Sequence, residues 1–72
     1  MDVHRLVKMA NEIGAFFESA ADRKEAVTSI ATHLRNFWEP RMRTQLIEYA
    51  RNDDGELTPI VKEAVLTLVK SS

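Results

Sequence analysis

The sequence predicts an all-α fold, a small compact bundle of four short helices over about residues 2–18, 22–38, 40–52 and 59–70. Two observations predict it. Apolar residues recur at helical spacing in four consecutive segments, and no segment alternates with the period of two expected of a half-buried strand. Glycine and proline are scarce, and Pro40, Gly55 and Pro59 fall where one segment gives way to the next. With 72 residues the chain reads as a single domain over 1–72.

The first helix carries Val3, Leu6, Val7, Ala10, Ile13, Gly14 and Phe17 on one face, and Asp2 is placed to cap its start. Met9 and Phe16 flank that stripe and widen the apolar arc to about half the circumference, more than a surface helix needs against one neighbour. Ser19, Ala20 and Ala21 read as a short link. Asp22 and Glu25 resemble a capping box for the second helix, whose broad face holds Ala26, Val27, Ile30, Ala31, Leu34, Phe37 and Trp38. That helix ends before Pro40, because the residue preceding proline is pushed out of the α region. Pro40 suits the first position of the third helix, buried through Met42, Leu46, Ile47, Tyr49 and Ala50. Asn52-Asp53-Asp54-Gly55 is a turn by composition. Thr58-Pro59 then starts a fourth helix with Ile60, Val61, Ala64, Val65, Leu68 and Val69 on its apolar face. The short links favour antiparallel neighbours.

Size and composition limit the function. A single core in so short a chain supplies only about 3–5 kcal/mol, so regular helix packing and a partner are the expected reinforcements. There is no cysteine, which removes disulfides, thiolate metal sites and cysteine nucleophiles. The formal net charge of −1 gives no bulk attraction for polyanions. No apolar run approaches the ~20 residues needed to span a bilayer, and the N-terminus lacks a signal-peptide core. A cytoplasmic protein with no membrane partner is the expectation.

The richest stretch is the junction of helices two and three, where Arg35, Arg41 and Arg43 lie around Phe37, Trp38 and Pro40. Guanidinium groups beside large aromatics suit carboxylates, phosphates or the acidic edge of a partner. Packing competes for the same aromatics, since Phe37 and Trp38 both fall on the apolar arc and are expected in the core. Arg43 lies inside the apolar face of its helix, between Leu46, Ile47 and Ala50. Three outcomes stay open for it: snorkelling out along its stem, pairing with Glu39 or Glu48, or reaching another subunit. Arg35, Trp38, Arg41 and Arg43, with the flanking Met9 and Phe16, are therefore the candidate partner-binding residues.

Catalysis by this chain alone is not expected. His4 and His33 lack the spacing of a metal pair, and the acids around Gly55 span too few residues for a calcium loop. No triad, no glycine-rich phosphate loop and no apolar pocket of drug-ligand size is foreseen, so no metal or cofactor is assigned.

Read in order, three blocks resemble the delta-subunit family of soluble NAD-dependent formate dehydrogenases. They are Arg5-Leu6-Val7-Lys8-Met9-Ala10-Asn11-Glu12-Ile13-Gly14 with Phe16-Phe17; Ile30-Ala31 with His33-Leu34-Arg35, Phe37-Trp38 and Pro40-Arg41-Met42-Arg43; and Gly55-Glu56-Leu57-Thr58-Pro59-Ile60-Val61. The Phe-Trp-x-Pro-Arg-Met-Arg block is the most specific. The chain departs from the pattern at Glu12, where glutamine is the expectation, and in a turn less rich in glycine. The resemblance implies a non-catalytic accessory subunit. In such enzymes a molybdenum or tungsten pterin centre in the large subunit oxidises formate, and iron–sulfur clusters, flavin and NAD lie on other subunits. The implied roles are assembly, cofactor insertion or stabilisation of the complex, with the large (alpha) subunit or its maturation factor as partner.

Two other readings compete. A free-standing interaction module could pair as a homodimer through Met9 and Phe16 across a two-fold axis. A small helix-turn-helix nucleic-acid binder is disfavoured by the weak net charge and the lack of a basic helix face.

Overall fold

The computed structural model describes residues 2–20, 22–52 and 55–71. They form four α-helices, α1 (Val3–Ala20), α2 (Arg23–Phe37), α3 (Pro40–Asn52) and α4 (Pro59–Ser71), with no strand among the described residues.

The starts of the helices follow local chemistry. Asp2 caps α1, its Oδ1 accepting from the His4 amide at 3.0 Å. Asp22 caps α2, accepting from the Glu25 amide at 2.9 Å. Pro40 and Pro59 both occupy the first helical position, where the missing amide is not needed. Of the expected link Ser19-Ala20-Ala21, Ser19 and Ala20 are instead in the last turn of α1, and Ala21 lies outside the described residues. Alanine is the best helix former, and the Ser19 hydroxyl donates back to the Phe16 carbonyl at 3.0 Å, so nothing stops the helix earlier. The turn expected at residues 53 and 54 lies outside the described residues; Gly55 and Glu56 do form a turn.

The core draws on every helix. Leu6, Ile30, Leu34, Leu46, Ile60, Val61 and Val65 are its largest fully buried side chains. Leu57, in the loop before α4, is buried with them. α2 packs most extensively on α4 and then on α1, while α3 packs on α4 and α1. The consecutive helices α2 and α3 barely touch, contrary to the antiparallel pairing expected of a short link. Trp38 is extended (φ −96°, ψ 141°) and Pro40 starts the next helix at once, so the chain swings away from α2 instead of doubling back along it. The radius of gyration is 10.8 Å, close to the ~11 Å of a well-packed chain of this length.

Gly14 of α1 lies directly against α4. A Cβ at this position would overlap Val61 Cγ2 and touch Ile60 and Ile30. The missing side chain is what lets these two helices meet.

Candidate partner-binding face

The α2–α3 junction does not form one arginine cluster. Arg43 is half-buried, and its Nη1 donates to the Trp38 carbonyl at 2.7 Å and to the Arg35 carbonyl at 2.9 Å. These carbonyls belong to the C-terminal turn of α2 and its cap, where helical acceptors lack amide partners. Arg43 therefore pairs internally, as one of its three outcomes allowed, but with backbone carbonyls and not with Glu39 or Glu48. A cation at this end also opposes the partial negative charge of the helix dipole. Arg35 and Arg41 are exposed. On a helical wheel Arg35 lies on the flank of α2 opposite His33 and Phe37, so the junction spreads its arginines instead of gathering them.

The two aromatics of the junction separate. Trp38 is 6% exposed and belongs to the core. Phe37, expected beside it, is 74% exposed, which corrects the reading of both as core. Phe37 is the last helical residue and keeps its ring on the flank of α2. Trp38 has left the helical path, and its indole is buried in the core.

Phe37 instead ends a ladder of rings across α1 and α2. Phe16 meets Phe17 edge-on with centroids 5.3 Å apart, Phe17 meets His33 at 6.3 Å, and His33 lies against Phe37 at 4.9 Å. Each spacing falls within the range of favourable ring pairs. Met9 and Phe16 are exposed as the widened arc predicts, at 36% and 67%. Together with Ile13, Phe17 and His33 they line an open groove of about 530 Å³. A second groove of about 310 Å³ runs along the other side of the ladder, lined by Phe17, Thr28, Ser29, Thr32, His33, Asn36 and Phe37. An apolar concavity of drug-ligand size was not foreseen in the sequence. It arises because Ile13 and Phe17 sink partly into the core while Met9 and Phe16 stand beside them. Among the described residues, Glu12 is the one acid lining either groove, and no lysine or arginine lines them. In a chain with 29% charged residues, such a face has the composition of an interface core, rich in aromatics and methionine and poor in charge.

A polar clasp holds the loop before α4. Asn11 Nδ2 donates to the Glu56 carbonyl at 2.8 Å, and Asn11 Oδ1 accepts from the Thr58 amide at 3.1 Å. His4 Nδ1 donates to Glu56 Oε1 at 2.8 Å, and the Tyr49 hydroxyl donates to the same oxygen at 3.3 Å. The hydrogen bond to Glu56 raises the His4 pKa above its ordinary value, helped by the charges of Glu56 and Asp2. The bonds from His4 and Asn11 carry no sequence signal, because they join residues 45 or more apart in the chain. No group of three His, Asp or Glu side chains suited to a metal ion occurs among the described residues. No helix among them is long and apolar enough to cross a membrane.

The arrangement offers an aromatic face built on α1 and α2, with Phe16 and Phe37 exposed at its two ends. No match was found among curated proteins or among solved structures. The family model described as NADH-dependent formate dehydrogenase delta subunit FdsD matches residues 5–65, a span that includes the ring ladder, the arginine junction and all of the clasp except His4. The chain thus belongs to the delta-subunit family of NADH-dependent formate dehydrogenases.

Proposed function

We propose that this chain is a non-catalytic accessory subunit of a molybdenum or tungsten formate dehydrogenase. It acts in assembly, cofactor insertion or stabilisation of the complex by docking on the large subunit or its maturation factor in the cytoplasm. The observation that carries this reading is the uncovered ladder Phe16–Phe17–His33–Phe37 with Met9 beside it. Two phenylalanine rings left mostly in water favour burial, each worth about 1.5–3 kcal/mol when fully covered. Family membership supplies the setting in which a partner covers them. Arg41, exposed at the start of α3, adds a contact to acidic groups of the same partner, while Arg35, on the opposite flank of α2, offers a separate contact.

The test is capture of the co-expressed enzyme subunits on a tagged chain carrying Phe16→Asp and Phe37→Asp. Both positions are exposed, so circular dichroism and melting temperature should stay near wild type while capture is lost. An Arg41→Ala variant should weaken capture to a smaller degree. Undiminished capture by the double aspartate variant sinks the reading.

A further inference from the structure

Resting on that docking reading, we infer that the groove between α1 and α2 receives an amphipathic helix of another subunit, with a lysine or arginine set against Glu12. The groove is open and follows α1 from Met9 to Phe16. The seven steps from Met9 to Phe16 rise about 10 Å, or two helical turns. A trench of that length and apolar lining matches the helix-in-groove mode, in which anchors repeat at i, i+3 or i+4, and i+7.

Glu12 decides the charge of the occupant. It is exposed in the free chain and makes no ion pair among the described residues. Any partner that fills the groove takes water away from this carboxylate, and an uncompensated carboxylate in a covered apolar site is strongly unfavourable. No lysine or arginine lines the groove, and Lys8, one turn before Glu12 on α1, makes no ion pair with it, which leaves the carboxylate to a cation on the occupant.

The same residue argues against a second copy. A two-fold axis that sets Met9 against Phe16 of another copy passes midway between them in sequence, between residues 12 and 13. It would bring two Glu12 carboxylates together, with no lysine or arginine lining the groove to separate them. Like charges placed directly opposite each other across an interface oppose pairing.

The experiment uses the full chain co-expressed with the other subunits of its formate dehydrogenase. A photo-crosslinking amino acid is placed at Met9 or at Phe16, and the joined peptides are identified by mass spectrometry. Capture is measured in parallel for Glu12→Lys, Glu12→Gln and Phe16→Asp. The expected result is one helical segment of another subunit joined at both positions, with a lysine or arginine within one turn of the site. Glu12→Lys should weaken capture by about tenfold or more, and Glu12→Gln by less. Crosslinks to a second copy of this chain overturn the inference, as do crosslinks to a segment without a nearby cation. If Phe16→Asp abolishes capture while Glu12→Lys leaves it unchanged, the face is right and its occupant wrong. Capture that survives Phe16→Asp overturns both.

Discussion

Replacing Arg43 by methionine removes the guanidinium while keeping the apolar stem and a comparable helix propensity. The loss can be worked from two bonds. The 2.7 Å bond to the Trp38 carbonyl is partly shielded from water, and the 2.9 Å bond to the Arg35 carbonyl is exposed. A hydrogen bond from a charged donor contributes about 1.5–3 kcal/mol when shielded, and an exposed one contributes less. The favourable placement of a cation at the end of α2 adds about 0.3–1 kcal/mol. Water replaces the exposed bond at little cost but reaches the Trp38 carbonyl less well. The expected net loss is about 2 kcal/mol, or roughly 8–16 °C in melting temperature for a domain this small. Urea unfolding followed by circular dichroism measures it, with a lower midpoint and an unchanged slope. Arg43→Lys should fall between, since a single ammonium on a flexible stem keeps the charge but is poorly shaped to hold two carbonyls at once. A methionine variant within about 0.5 kcal/mol of wild type, or a lysine variant equal to wild type, would refute the capping role. Capture of partner subunits by Arg43→Met, measured where the variant is still folded, should match wild type.

Other substitutions probe separate features. Gly14→Ala should destabilise by about 1–3 kcal/mol in urea titrations despite alanine's better helix propensity, because the new methyl meets Val61 Cγ2; a more stable variant would show that α1 and α4 separate easily. Trp38→Ala should cost about 3–5 kcal/mol, whereas Phe37→Ser should stay within about 0.5 kcal/mol, and similar losses for both would contradict the opposite exposures of these neighbours. Asn11→Ala should lower stability by about 1–2 kcal/mol through loss of both bonds to the loop, with faster amide exchange at Thr58 as the local readout. His4 should titrate above the ordinary histidine value in an NMR pH series, and Glu56→Gln should return it towards that value. Because the folded-state pKa is the raised one, the pair's contribution is complete below about pH 6.5 and is lost as pH rises through the folded-state pKa. An unshifted His4 resonance would remove the charge assistance from the clasp.

Helix count and order were legible in the sequence because periodicity, Asp2, Asp22, Pro40 and Pro59 all point to the same boundaries. What escaped depends on direction and distance. Phe37 sits on the apolar arc by wheel position, but a wheel cannot show that the helix ends there and that Trp38 turns in ahead of it. Arg43 was recognisable as a residue needing a partner. The partner is a carbonyl row in the preceding helix, visible only once the chain has bent at Pro40. The excess apolar width of α1 did announce Met9 and Phe16 as uncovered. Their continuation into His33 and Phe37 required knowing how α1 and α2 lie together. Leu57 carried no periodic signal at all, since it is a single apolar residue in a loop, yet it is buried.

The near absence of contact between α2 and α3 has a consequence for how the chain reaches this state. Adjacent helices in an up-and-down bundle can nucleate as a hairpin and wait for the rest. Here each middle helix leans on α1 and α4, the two that lie farthest apart in sequence. A fragment comprising α2 and α3 alone has almost no interface to fold around, and one lacking α4 loses the most extensive packing partner of α2. The most extensive interface, α2 on α4, closes only across the intervening α3, so the entropy of that closure must be met before α2 gains its main packing partner. Unfolding should be all-or-none, with the slowest-exchanging amides shared among all four helices instead of gathered in one stable half.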